Sequence, residues 1–179
     1  MTGWFVFLAY LAAVNPARLR PQMTDGEERR PLAQLTIGAL IVIGIGLVLV
    51  LAADWILDAL DVTDETWRLA AGVVCGLVGA RALVAPGSGQ GPMPMGSGLV
   101  PIAFPLLLTP QLAVLAILFG ATESLAMAWG WLMVGVVAGA GAGQLSHRRP
   151  MLWRGVAQLT AALLILVGIA LVIAGIRDV

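Results

Sequence analysis

Long apolar runs alternate with short polar connections along the whole sequence. About 20 apolar residues are the length that a helix needs to cross the hydrocarbon core of a bilayer. The pattern predicts six membrane-spanning helices, the first and fourth of which are interrupted by proline. Their predicted ranges are 3–23, 32–57, 66–84, 99–119, 124–144 and 153–176, with an acidic turn at 58–65 between the second and the third.

The centre of the chain is a run rich in glycine and proline, from Pro86 to Gly98. Such a composition is typical of a linker. It divides one transmembrane domain, residues 1–179, into a first repeat (1–84), a linker (85–98) and a second repeat (99–179). Because each half holds three predicted spans, an odd number, the second half would be inserted upside down relative to the first. We therefore expect an all-α membrane fold of two inverted three-helix repeats.

Composition supports a membrane protein and excludes several other classes. The chain is 60% hydrophobic and 11% charged, with a mean hydropathy of +0.96, whereas soluble domains carry about 25% charged residues. The net charge is zero, so nothing favours nucleic-acid binding. One cysteine and one histidine give no basis for a metal site. The sequence shows no motif for hydrolytic catalysis, so we expect neither an enzyme nor a protein with an organic cofactor.

Arginine is unevenly distributed over the predicted loops. Eight of the ten basic residues fall on one side of the six-span arrangement, which the positive-inside rule places in the cytoplasm. We expect a multi-pass protein of a bacterial plasma membrane with both termini on the outer side. The eight are Arg18, Arg20, Arg29, Arg30, Arg81, Arg148, Arg149 and Arg154.

Two proline breaks, Asn15-Pro16 and Thr109-Pro110, occupy similar places in the two halves. Proline removes a backbone donor and displaces the carbonyl one turn back, so each break leaves peptide groups that lipid cannot pair. Paired broken helices in two halves indicate a transporter's binding site. We predict that the substrate-binding residues are Asn15, Pro16, Thr109, Pro110 and Gln111.

Structural explanations of the same residues stay open. Each break is also compatible with an ordinary proline kink, and Gln111 with a hydrogen bond that only joins two helices. Arg18 and Arg20 follow the first break and would lie near the cytoplasmic mouth of a cavity, where they would attract an anion or reach lipid headgroups.

Glycine stripes at 72/76/79 and 135/139/143 predict close helix packing, either static or sliding between two states.

Three sequence stretches resemble the MarC/SnatA family of the LysE-like transporter superfamily. They are Val14-Asn15-Pro16, Arg68-Leu69-Ala70-Ala71-Gly72, and the stretch from Val100 to Leu107 with Pro101 and Pro105, followed by Pro110. The resemblance implies a six-helix inner-membrane protein with inverted repeats. It also implies transport of small solutes, small neutral amino acids among them, with roles for Asn15, Pro16, Pro101, Pro105 and Pro110.

The predicted function is a secondary transporter or exporter of a small polar solute that works by alternating access. A non-transporting structural or accessory subunit of a membrane complex is the alternative, favoured by the short loops. A pore would need a continuous polar lining, for which the chain has too few polar residues. The expected partners are the lipid bilayer and the solute, with a homo-oligomer or a larger membrane complex left open.

Overall fold

The computed structural model describes residues 3–14, 30–84, 108–145 and 150–178, with side chains in 3–14, 36–84, 108–142 and 155–177. These ranges are helical apart from short turns. Their helices are α1 (Gly3–Val14), α2 (Arg30–Leu51), α3 (Ala53–Leu60), α4 (Asp64–Val84), α5 (Pro110–Thr122), α6 (Leu125–Leu145) and α7 (Pro150–Asp178).

Three of these helices are long and apolar enough to cross a membrane, within residues 64–84, 125–142 and 155–177. A fourth candidate span is formed if α2 and α3 are taken together, whereas α1 and α5 are shorter apolar helices of 12 and 13 residues. The prediction of a helical membrane protein is confirmed at this level. The linker at 85–98 and the stretch at 99–107, on which the predicted fourth span begins, lie outside the described residues.

The second predicted span differs from the structure. We expected a continuous helix over 32–57, but the chain bends by 57° between α2 and α3 at Ala52. Gly120 of α5 lies against the bend, where a Cβ on that glycine would come within 2.6 Å of the Val50 carbonyl oxygen. Ile117 of α5 belongs to the same buried cluster as Ala53 and Leu57 of α3. The bend is therefore associated with a contact between segments that are distant in sequence. No local sequence pattern predicts that contact.

The predicted acidic turn at 58–65 is also shorter in the structure. Asp58 belongs to α3, while Asp64 and Glu65 lie in the first turn of α4. The positive end of the helix dipole stabilises carboxylates at that position. The turn itself covers 61–63. Asp61 closes α3 in the left-handed conformation, with φ of 51°, a role to which aspartate is better suited than most residues that carry a side chain.

Helices α4 and α7 form the most extensive helix pair among the described residues. Gly72 faces Gly168, and Gly79 faces Ala161, so the two helices run in opposite directions. A Cβ on Gly72 would lie 2.7 Å from the Gly168 carbonyl oxygen. The absence of side chains here lets the two backbones touch, as in small-residue interfaces of membrane helices.

Helix α1 lies along α6 in the same direction. A Cβ on Gly135 would meet Tyr10, and one on Gly139 would collide with the side chain of Val14. The second half of α1 therefore packs directly on the two glycines of α6. This contact determines the position of the carboxyl end of α1, where the candidate site begins.

Candidate functional site

The start of α5 is defined by Thr109 and Pro110. Thr109 is the N-cap, with extended backbone angles (φ −85°, ψ 151°), and its Oγ1 accepts a hydrogen bond of 3.4 Å from the Leu112 amide. Pro110 occupies the first helical position, where its missing N–H leaves nothing unpaired. Threonine followed by proline is a strong local signal for a helix start. A helix thus begins at the residue predicted for the second break, while the stretch at 99–107 that would precede the break lies outside the described residues.

The end of α1 meets this start of α5. The Ala13 carbonyl oxygen accepts one hydrogen bond from Thr109 Oγ1 at 3.2 Å and another from Gln111 Nε2 at 3.1 Å. In a continuous helix that oxygen would be paired with the amide four residues further on. Here two side chains from the other half of the chain pair it. We call this contact of Ala13, Thr109 and Gln111 the α1–α5 junction.

Helices α1 and α5 run antiparallel. Phe5, near the start of α1, stacks edge-to-face on Phe119 near the end of α5, with ring centroids 6.5 Å apart. Ala13, near the end of α1, is hydrogen-bonded to Thr109 and Gln111 at the start of α5. The negative end of one helix dipole therefore lies beside the positive end of the other, and the two offset each other.

The junction lies inside the length of an apolar span. Val14 contacts Gly139, which precedes the end of α6 at Leu145 by about 9 Å of helical rise and follows its start at Leu125 by about 21 Å. Residues 125–142 of α6 form one of the three candidate spans. If α6 crosses the bilayer, the junction lies at membrane depth and not at its surface.

Both polar side chains of the junction are buried, with Thr109 and Gln111 each 1% exposed. The Ala13 carbonyl oxygen accepts a hydrogen bond from Gln111 Nε2. Flipping the side-chain amide by half a turn would place Oε1, an acceptor, against that carbonyl oxygen, so the assignment of the two amide atoms is settled by this bond. This leaves Gln111 Oε1 pointing away from Ala13, and among the described residues it has no hydrogen-bond partner. An unpaired buried acceptor is costly, and in native proteins such a group calls for a specific reason.

Of the seven residues predicted for the site and its mouth, the structure brings Thr109 and Gln111 together. Pro110 sets the start of α5, but its own surface is exposed. The other four, Asn15, Pro16, Arg18 and Arg20, lie outside the described residues. The Asn15-Pro16 half of the predicted site therefore stays a prediction.

Two groups at this interface were missed by the sequence analysis. The Ala13 carbonyl is a backbone atom, and the only sequence signal for it is its place one turn before Pro16. Tyr10 is fully buried, its ring lies 5.4 Å from that of Phe119, and its Oη has no hydrogen-bond partner among the described residues. The tyrosine carried no motif that distinguished it from an aromatic residue of the core.

Two cavities elsewhere are outlined by described residues. An open cleft of about 630 Å³ at the α3–α4 turn carries carboxylates from Asp54, Asp58, Asp61 and Asp64. No group of three or more His, Cys, Asp or Glu side chains that could hold a metal ion is found among the described residues. An apolar groove of about 320 Å³ lies on the α4–α7 pair, beside Gly72 and Gly168. Neither cavity is lined by the α1–α5 junction.

Comparisons with known proteins identify no family. No protein-family model, no curated protein and no solved structure matches the chain. The resemblance to MarC/SnatA proteins therefore rests on the quoted motifs alone. The structure defines the class as a helical protein with apolar helices that could span a membrane.

Proposed function

We propose that this protein is a six-span membrane transporter of a small polar solute, and that the solute binds at the α1–α5 junction. The observation that carries the proposal is the hydrogen-bonded meeting of the end of α1 with the start of α5, with the buried acceptor Gln111 Oε1 left over. Backbone that is not part of a continuous helix is tolerated at membrane depth where it is buried in protein or lines a cavity. Transporters place their substrates at such helix ends.

Helix packing supports two inverted repeats. A two-fold operation that exchanges α1 with α5, α2 with α6 and α4 with α7 would convert the α1–α6 contact into the α5–α2 contact. It would likewise convert the α1–α7 contact into the α5–α4 contact. All four contacts are present. The exchanged pairs α1–α5 and α4–α7 are each antiparallel, as an axis in the membrane plane requires.

Alternating access would then require a change in how these helices pack against one another. Glycines at these contacts bring the helix backbones together without long interlocking side chains, as Gly135 and Gly139 do for α1. One repeat moving against the other would open the junction first to one side of the membrane and then to the other. By the resemblance given above, small neutral amino acids are among the solutes to be tested.

A solute-uptake screen in proteoliposomes tests this proposal. Purified protein is reconstituted, and uptake of labelled amines, carboxylates, neutral amino acids and sugars is compared with that of protein-free vesicles. We expect saturable uptake of at least one solute, strongly reduced by Gln111→Met and by Asn15→Ala.

Thr122→Val is the matched control, because Thr122 lies on the same helix and donates only to Leu118 one turn back. It should retain the wild-type uptake rate. If no solute moves, or if Gln111→Met takes up solute at the wild-type rate while remaining folded, the junction is a structural clamp. The accessory-subunit alternative would then replace transport.

A further inference from the structure

We infer that α3 is an interfacial helix, which lies along the membrane surface and binds the boundary between lipid headgroups and acyl chains with one of its sides. The inference goes beyond the proposed function, because it holds whether or not the protein moves a solute. Three features of α3 carry it: its place between two spans, its packing on α5, and the distribution of its exposed side chains.

The helices on both sides of α3 each have the length of a span. Helix α2 (Arg30–Leu51) has 22 residues, or about 33 Å of helical rise, against about 30 Å for the hydrocarbon core of a bilayer. Helix α4 begins at Asp64 and is itself one of the candidate spans. The bend of 57° at Ala52 turns α3 away from the direction of α2. Helix α3 therefore begins where one span ends and finishes where the next begins, so both of its ends lie at the same membrane surface.

One side of α3 packs on the helix bundle. Ala53 and Leu57, one turn apart, are buried at 1% and 4% exposure and form a cluster with Ile117 of α5. This contact holds α3 against the protein and determines which of its sides remain exposed.

The exposed side chains of α3 divide into an acidic side and an apolar side. Asp54 and Asp58 are exposed and lie one turn apart on the acidic side, and Asp61, which closes the helix, follows there. Ala59 and Leu60 are exposed on the apolar side. At 3.6 residues per turn, Leu60 lies about 160° around the helix from Asp58, so the two sides face nearly opposite ways.

This division matches the boundary between lipid and water. Hydrocarbon on every exposed side would make the carboxylates costly, whereas water on every side would leave the apolar residues without a partner. The carboxylates of Asp54 and Asp58 line the open cleft at the α3–α4 turn, which water can enter. Trp55 is 72% exposed and lies between the acidic and the apolar side, which is the place of an indole ring at headgroup level.

The charge of α3 indicates what holds it at the surface. Interfacial helices commonly carry Lys and Arg, which attract anionic lipids. Helix α3 (Ala53–Leu60) has none and carries Asp54 and Asp58 instead. Apolar contact and its attachment to α2, α4 and α5 therefore keep α3 at the surface, and zwitterionic headgroups suit its acidic side better than anionic ones.

Spin labelling tests the inference on the full-length chain in phosphatidylcholine vesicles. In a Cys75→Ala background, one nitroxide label is attached at each of four exposed positions, through Asp54→Cys, Asp58→Cys, Ala59→Cys or Leu60→Cys. Relaxation of each label is measured with dissolved oxygen, which concentrates among acyl chains, and with a water-soluble nickel complex. Asp58→Cys and Leu60→Cys are the matched pair, because they are two residues apart on the same helix and face opposite ways.

We expect the ratio of oxygen effect to nickel effect to be severalfold higher at positions 59 and 60 than at 54 and 58. A strong nickel effect at all four positions would place α3 in water and overturn the inference. An oxygen effect without a nickel effect at all four would make α3 a continuation of the span. Shielding of positions 59 and 60 from both reagents would mean that a second copy or another protein covers the apolar side, and would also overturn it. If one apolar position does not tolerate cysteine, the other decides.

Discussion

At the residue scale, the unusual feature is a small set of buried polar atoms on two apolar helices. Thr109 and Gln111 are paired with backbone across the junction, which explains why they are tolerated inside the protein. Gln111 Oε1 and Tyr10 Oη are not paired among the described residues. Hydrogen-bonding capacity left over in this way either lowers stability or serves a ligand. The uptake comparison with Gln111→Met addresses the first atom, and a stability measurement addresses the second.

Tyr10→Phe should stabilise the protein by about 1 kcal/mol, since it removes a buried hydroxyl that has no partner among the described residues and keeps the ring. The edge-to-face contact with Phe119 at 5.4 Å is unchanged by the substitution. The measurement is thermal unfolding in detergent, followed by tryptophan fluorescence. Tyr10→Leu, which also loses the ring contact, should unfold at a lower temperature than wild type. A lower Tm for Tyr10→Phe would mean that the hydroxyl is satisfied.

At the element scale, glycines that occupy equivalent places in a sequence motif differ in how closely they are packed. Gly72 and Gly76 belong to the same predicted stripe on α4. A Cβ on Gly72 would lie 2.7 Å from the Gly168 carbonyl oxygen and 2.9 Å from the Val172 amide, whereas one on Gly76 would meet nothing within 4 Å. Helix α7 touches the backbone at both positions, since a Cβ on Gly168 would come within 2.6 Å of the Gly72 carbonyl oxygen and 2.7 Å of the Gly76 amide nitrogen. The contrast arises because the Cβ direction at Gly72 points at α7, whereas that at Gly76 points into open space.

Gly72→Ala should therefore destabilise the α4–α7 pair by about 1–3 kcal/mol, because backbone atoms cannot move aside as a flexible side chain can. Gly76→Ala is the matched control and should be neutral, or stabilising by up to about 1 kcal/mol from the higher helix propensity of alanine. Thermal unfolding of both variants measures the difference. Equal Tm values for the two would contradict the close backbone contact.

At the scale of the whole molecule, the arrangement of helix ends bears on topology. The end of α5 lies beside the end of α2, because Gly120 contacts Val50. The turns after α3 and after α5, at 61–63 and 123–124, are thus expected at the same end of the bundle. The arginine distribution predicts that both turns lie on the outer side of the membrane.

Thiol labelling of intact cells tests this orientation. In a Cys75→Ala background, Thr63→Cys and Ser124→Cys should react with a membrane-impermeant thiol reagent added outside, since both positions are exposed turn residues. His147→Cys, in the predicted cytoplasmic turn, should react only after the cells are permeabilised. Protection of either outer position in intact cells, or labelling of position 147 there, would contradict the predicted topology.

The sequence by itself determined the helices whose signals are local. The ranges of α4, α6 and α7 were predicted to within a few residues, because a long apolar run followed by polar residues defines a helix whatever it packs against. The start of α5 was predicted at Thr109-Pro110 for the same reason, since an N-cap and a proline act on their own turn of helix. The membrane class followed from composition alone.

Only the tertiary structure decided which parts meet. The bend at Ala52, the Ala13 carbonyl as partner of Thr109 and Gln111, and the difference between Gly72 and Gly76 all depend on segments distant in sequence. The physical reason is that most of these helices, unlike the short α3, are apolar on every side. Lipid and protein interior are equally apolar, so hydrophobicity cannot mark which face is buried, and close packing and hydrogen bonds choose the partners instead.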